Sequence, residues 1–294
     1  MIKAPKKPQN KKFHLRFGLR ALFLGLFFWI SVSSAAPLSS ELLLNLEKAQ
    51  DFVLKKKRKE ALDLLIVLLE KEKGKPTKSA KILKKNINEL SEVFLTDKSQ
   101  QLYESAQFVK KTNASSAQQL YLEALRLDPD NSKITFELGA LYLNTGDCTK
   151  AYELIFPDGN KSDLLKVKSI EGLGLLYAHI LLCQNKIKEY DALREGFSGE
   201  EESAIYWIHL DINRFWANKE ISLAKTSLAL ILNKDPQFIP GLYWDWKINR
   251  SKKSAEKYLS ECQNLSIKTQ SKYKREPQLC GFVTEVENEI NQKK

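Results

Sequence analysis

From Pro37 to the C-terminus, apolar residues recur every three or four positions, and no other spacing is sustained. Leu42, Leu43, Leu46, Ala49 and Val53 make one such run, and Ala61, Leu62, Leu64, Leu65, Leu68 and Leu69 the next. A helix turns once per about 3.6 residues, so this spacing gathers apolar side chains into one stripe. Alternating β-branched runs bounded by turn residues are absent. The chain is therefore expected to be all-α. A longer period overlies the short one. In residues 132–165, Leu138-Gly139, Tyr142, Gly146 and Ala151 occupy positions 7–8, 11, 15 and 20 of a 34-residue frame. In residues 98–131, Ser105, Phe108, Ala117, Tyr121, Ala124 and Pro129 occupy positions 8, 11, 20, 24, 27 and 32. A period of this length implies a helix pair that buries its stripe by stacking on further pairs.

These residues resemble the tetratricopeptide repeat family, closely over 98–165 and more loosely over 42–262. The resemblance implies a solenoid of helix-turn-helix units, a right-handed superhelix whose concave face is lined by the first helix of each pair. The residue types have physical reasons. A small residue at position 8 lets the first helix approach the second, and Ala at 20 marks their crossing. Aromatics at 11 and 24 fill the wedge between neighbours. Pro at 32 stops the second helix because it has no N–H. Other frames are degenerate. Residues 205–238 keep Ala224, Leu228 and Pro236 but carry Ile212 where a small residue is expected. Residues 42–75 keep Ala49, Phe52, Ala61 and Leu65. Residues 79–95 read as one helix leading into Thr96-Asp97 as the next cap. Residues 171–197 read as a pair turning at Asn185-Lys186, and 239–262 as a shortened repeat. The expected organisation is a leader over 1–35, degenerate helical pairs over 36–97, two clear repeats over 98–165, degenerate repeats over 166–262, and a polar tail with a short helix over 263–294.

The leader has three parts. Residues 1–20 are basic, 21–32 are almost wholly apolar, and Ser33-Ser34-Ala35-Ala36 are small. This is the order of a secretory signal peptide, with cleavage expected after Ala35. An apolar stretch of about twelve residues is short for a membrane span, which needs about twenty. The alternative is an uncleaved segment anchored in the inner membrane. The mature chain is expected in the periplasm, with no integral span.

Charge and motifs exclude several functions. The net charge of +11 suggests a phosphate partner, but residues 1–35 hold seven of the 47 Lys and Arg and none of the 36 acids. Without them the chain is near +4, and nucleic acid is not expected as a partner. Runs such as Lys55-Lys56-Lys57-Arg58-Lys59 read as solvated helix faces. No phosphate loop, GxSxG, HExxH or CxxC occurs. His179 lies in an apolar run and reads as a core or groove histidine. The acids Glu195, Glu200, Glu201 and Glu202 have no implied cleft. No catalytic residue, metal or cofactor is expected, and the protein is not expected to be an enzyme.

The repeat resemblance places the remaining candidates. Four cysteines allow three pairings, or four buried thiols. Stacked repeats would bring Cys148, at the start of one helix, beside Cys183, at the end of the next unit's first helix. Cys262–Cys280 would tie the tail to the last helix. In the family's frame, positions 2, 5, 9, 12 and 13 point into the groove. They are Lys133, Phe136, Ala140, Leu143 and Asn144 in one repeat, and Tyr206, His209, Asn213, Trp216 and Ala217 in another. Tyr243, Lys247 and Arg250 follow in the shortened one. Aromatic, amide and basic groups together suit an extended peptide. The tryptophan cluster of Trp207, Trp216, Trp244 and Trp246 reads as core filling, with Trp216 the first candidate for a binding hot spot. The resulting expectation is a protein–protein scaffold of the cell envelope; the alternative is a module that binds a cell-wall or lipid ligand. N-terminal sequencing of the exported protein is expected to begin at Ala36, and a retained Met1 would indicate the uncleaved anchor.

Overall fold

Short polar side chains start many of the helices. Thr77, Thr96, Asn113, Asn131, Asp147, Ser251 and Ser266 each accept a backbone N–H from the first turn of the helix that follows. Such a bond satisfies donors that no earlier carbonyl can reach. Turns between helices use left-handed backbone. Among the described residues, Lys56, Asp130, Gly146, Asn185, Lys219 and Arg250 have positive φ, and each lies between two helices. A single left-handed residue ends a helix and redirects the chain.

The computed structural model describes residues 39–72, 77–157, 164–197 and 204–291. The expected leader and its cleavage site lie outside them. Sixteen helices and no strand occur among the described residues. The N-terminal helices are α1 (Ser40–Leu54), α2 (Arg58–Lys71) and α3 (Lys78–Glu92). Next come α4 (Asp97–Val109), α5 (Ala114–Leu127), α6 (Ser132–Asn144) and α7 (Cys148–Ile155). They are followed by α8 (Leu164–Ser169), α9 (Glu171–Cys183), α10 (Ile187–Glu195), α11 (Ala204–Ala217) and α12 (Ile221–Lys234). The last are α13 (Ile239–Asn249), α14 (Lys252–Gln263), α15 (Ile267–Lys272) and α16 (Val283–Asn291).

Neighbours in sequence pack as pairs: α1 with α2, α4 with α5, α6 with α7, α9 with α10, α11 with α12, and α13 with α14. The first helices of successive pairs also touch, α6 with α9 and α9 with α11. The alanines at position 20, Ala117, Ala151 and Ala224, are all fully buried, as is Tyr121 at position 24. Gly139 allows the closest approach. A Cβ there would sit 2.5 Å from Cδ2 of Leu176, so the neighbour it admits is α9 of the next pair.

Three details depart from the expected frames. In α4 the buried stripe is Ser99, Leu102, Tyr103 and Ala106. Ser105 is exposed and Phe108 is 87% exposed, although both fall at packing positions of the 34-residue frame. The connection from α4 to α5 spans 110–113, one residue longer than the 145–147 turn between α6 and α7, and it shifts the face of α4. Helix α7 ends at Ile155, well before the expected boundary at 165, because Pro157 cannot continue it. The short helix α8 then packs on α2 and α9.

The third departure is Arg58. It is buried to 2% exposure, whereas Lys55, Lys56, Lys57 and Lys59 around it are solvated as expected. Its Nη1 lies 2.6 Å from Oδ1 of the fully buried Asp128. The guanidinium also donates to the carbonyls of Leu90, Val93 and Pro129. Asp128 accepts from Leu95 N–H at 3.0 Å and from the Asn131 amide at 3.1 Å. Breaking a buried pair strands one charge away from water. Arg58→Met is expected to lower stability by about 3–5 kcal/mol, read from the urea midpoint. A change near zero would show that the pair is dispensable.

Candidate functional site

The C-terminal segment from Asn264 to Asn291 does not extend away from the helices. It lies across the faces of α6, α9, α11 and α13, where the sequence placed a groove. Its anchor is the end of α14. There Cys262 is at disulfide distance from Cys280, with Cα atoms 5.7 Å apart. Tyr258 on the same helix takes a hydrogen bond from Phe282 N–H at 3.0 Å. The second cysteine pair, Cys148 and Cys183, joins the start of α7 to the end of α9 at a Cα separation of 6.0 Å. Both pairs match the expected pairing, Cys148 with Cys183 and Cys262 with Cys280.

Six of the thirteen expected groove residues bond directly to this segment. Asn144 donates to the carbonyl of Pro277 at 3.2 Å, and Tyr206 to that of Lys272 at 3.2 Å. His209 Nδ1 lies 2.9 Å from Oε2 of Glu276. The Tyr243 hydroxyl donates to Glu285 at 2.8 Å, and its ring stacks on Phe282 with centroids 4.1 Å apart. Lys247 pairs with Glu285 at 2.6 Å and donates to the Tyr243 hydroxyl. Arg250 pairs with Glu289 at 2.9 Å.

Of the other seven, Asn213, Phe136, Lys133 and Trp216 make contacts elsewhere, Ala140 and Leu143 are buried, and Ala217 is exposed. Asn213 supports His209, donating to its carbonyl at 3.2 Å. Phe136 is buried near Gly172 at the start of α9. Lys133 is exposed, with Nζ 5.1 Å from the ring centre of Tyr103. Trp216 is half-buried, its ring 5.9 Å from that of Trp244. Trp207, Trp244 and Trp246 are buried in the core.

Sequence reasoning missed what the segment itself contributes. Glu276 is buried and accepts from His209, and its Oε1 lies 3.4 Å from Nε2 of His179. Gln278 N–H bonds to Oε1 at 3.1 Å and fixes the carboxylate. Beside it, Arg275 pairs with Glu171 at the start of α9. Asp235, after α12, takes a hydrogen bond from the Tyr273 hydroxyl at 2.7 Å and pairs with Lys272 at 2.6 Å. The only signal in the sequence was an acid-bearing tail following a basic, aromatic helix. The acids Glu200, Glu201 and Glu202 lie outside the described residues.

Burial governs the electrostatics. It holds His179 down at about 4, so the ring is neutral at physiological pH. Burial alone would raise the Glu276 carboxyl. The two imidazoles, with hydrogen bonds from His209 and Gln278 N–H, outweigh it and hold the group below its ordinary range.

No family model, curated protein or solved structure matches this chain. The site must therefore be read from its own chemistry. No helix among the described residues is long and apolar enough to cross a membrane. The arrangement is a polar, aromatic face that holds the chain's own C-terminal segment through backbone carbonyls and carboxylates.

The pH dependence follows from His179. A buried imidazole with a depressed pKa opposes protonation in the folded state only. Its stabilising contribution is complete above the ordinary value of 6.5 and is lost as pH falls toward about 4. The depressed Glu276 acts in the same direction at lower pH. Urea midpoints are expected to fall as pH drops from 6.5 to 4 and to fall less in a His179→Gln variant; parallel profiles would remove His179 as the cause.

Proposed function

We propose that this chain is a non-enzymatic adaptor that is exported through its N-terminal leader and grips an acidic, aromatic-bearing segment of a partner protein in the periplasm. In this reading the helix pairs form a tetratricopeptide-like solenoid, and the faces of α6, α9, α11 and α13 form its concave side. The observation that carries the proposal is the chain's own C-terminal segment on that face. It supplies carbonyls at Lys272 and Pro277, carboxylates at Glu276, Glu285 and Glu289, and a ring at Phe282. Each meets a group that the repeat resemblance assigned to partner binding. A face able to hold this chemistry within the chain can hold it from another protein.

The resident segment then acts as a competitor. Tethering raises its effective concentration to the millimolar range for a short linker, so a partner must bind well to displace it. The two disulfide-distance cysteine pairs suit an oxidising compartment. The half-buried Trp216 beside Trp244 remains available as a hydrophobic contact at the rim.

The test is affinity capture from envelope extract, read by mass spectrometry. Cys280→Ser frees one tether of the resident segment without altering a groove residue. It is expected to capture more of one partner than the parent chain does. Excess synthetic peptide covering residues 264–291 should release that partner, and Trp216→Ala should weaken its capture. Capture unaffected by both the peptide and the cysteine change would place the partner elsewhere and reject the groove.

A further inference from the structure

The chain has three histidines, and two of them meet at one carboxylate. His179 comes from α9, His209 from α11 and Glu276 from the C-terminal segment. All three are buried, and their ligand atoms lie within 4.8 Å of one another. Each carboxylate oxygen faces a different ring. His209 Nδ1 lies 2.9 Å from Oε2, and His179 Nε2 lies 3.4 Å from Oε1. We propose that His179, His209 and Glu276 form a zinc-binding site that fastens the C-terminal segment to α9 and α11.

The donor set is the first argument. Two imidazoles and a carboxylate are the ligands of a zinc site with one position open. Nitrogen donors also select zinc over calcium and magnesium, which prefer all-oxygen shells. Spacing is the second argument. Zinc–ligand bonds of about 2.0–2.1 Å in a tetrahedron place donor atoms about 3.3 Å apart. The two imidazole–carboxylate separations of 2.9 and 3.4 Å bracket that figure. Side-chain movement of about 1.5 Å closes the widest gap, which is 4.8 Å.

The surroundings supply a second layer. Gln278 N–H fixes Oε1 of Glu276, and the Gln278 side chain hydrogen-bonds to His179. On the other ring, Asn213 Nδ2 lies 3.3 Å from Nε2 of His209 and 3.2 Å from its carbonyl. In this arrangement Nε2 accepts, so the ring proton sits on Nδ1 and points at Glu276. Zinc takes the Nδ1 lone pair once that proton moves to Nε2. The Asn213 amide then turns over, and its oxygen accepts from Nε2–H. No proton is gained or lost by the ring in this exchange of tautomers.

The experiment uses the full chain, purified through a tag without histidines and stripped with a chelator. Zinc is added alone, with calcium and magnesium as controls. One zinc per chain is expected, together with a Tm raised by several degrees and slower proteolysis within residues 264–291. Glu276→Gln and His179→Gln, checked for helix content by circular dichroism, should bind at least tenfold more weakly. X-ray absorption at the zinc edge of the parent chain should count two imidazoles, a readout that does not depend on the variants folding. Failure of the folded chain to take up stoichiometric zinc at micromolar concentrations would overturn the site. So would a single-imidazole shell, or unchanged affinity in the folded variants. These readouts are independent of partner capture, so the adaptor reading and the zinc site stand or fall separately.

Discussion

The buried pair of Arg58 and Asp128 is the constraint around which the N-terminal half is arranged. Two charges removed from water are tolerated only if nearly every polar atom around them is satisfied. Here that requirement recruits the end of α3, the connection into α4, and the turn between α5 and α6. Leu95 N–H, Ser99 and Asn131 all turn toward Asp128, while the Leu90 and Val93 carbonyls turn toward Arg58. Asn131 also caps α6 with its side-chain oxygen. Helix α6 is thereby positioned relative to α2, and α6 begins the face on which the C-terminal segment rests.

Much of this was legible in the sequence because helices leave strong local signals. Alanines at one position of a repeating frame predicted the crossing points, and Ala117, Ala151 and Ala224 are fully buried. Asn185 at the turn of the α9–α10 pair and Thr96 at the start of α4 were readable from residue type. The Cys148–Cys183 pair followed from where helix ends would meet, and Cys262–Cys280 from the need to tie the tail to the last helix. What failed to show was long-range. Nothing in the run from Lys55 to Lys59 separates Arg58 from its solvated neighbours, because its partner lies 70 residues away. Phe108 misled because a frame assumes a fixed turn length, and one added residue moves a helix face by about 100°.

The same reasoning explains the groove. Side-chain types on the first helices raised the expectation of a peptide-binding face, and Asn144, Tyr206, His209, Tyr243, Lys247 and Arg250 bond to the chain's own C-terminal segment. Which peptide would lie there could not be read, because the tail carries no strong periodic pattern of its own. Its recognition elements are single residues, each useful only opposite a particular neighbour. Glu276 is the clearest case. In sequence it is one acid among many; in the fold it joins two histidines 30 positions apart.

The span of these contacts affects how the chain can reach its final state. Asn144 meets Pro277 across 133 residues, and Arg250 meets Glu289. Before the segment docks, His179, His209 and Tyr243 lack the carboxylates it supplies, and Tyr206 lacks its carbonyl. Pairings this distant in sequence carry the largest loop-closure cost, so docking of the segment adds the most non-local steps to folding.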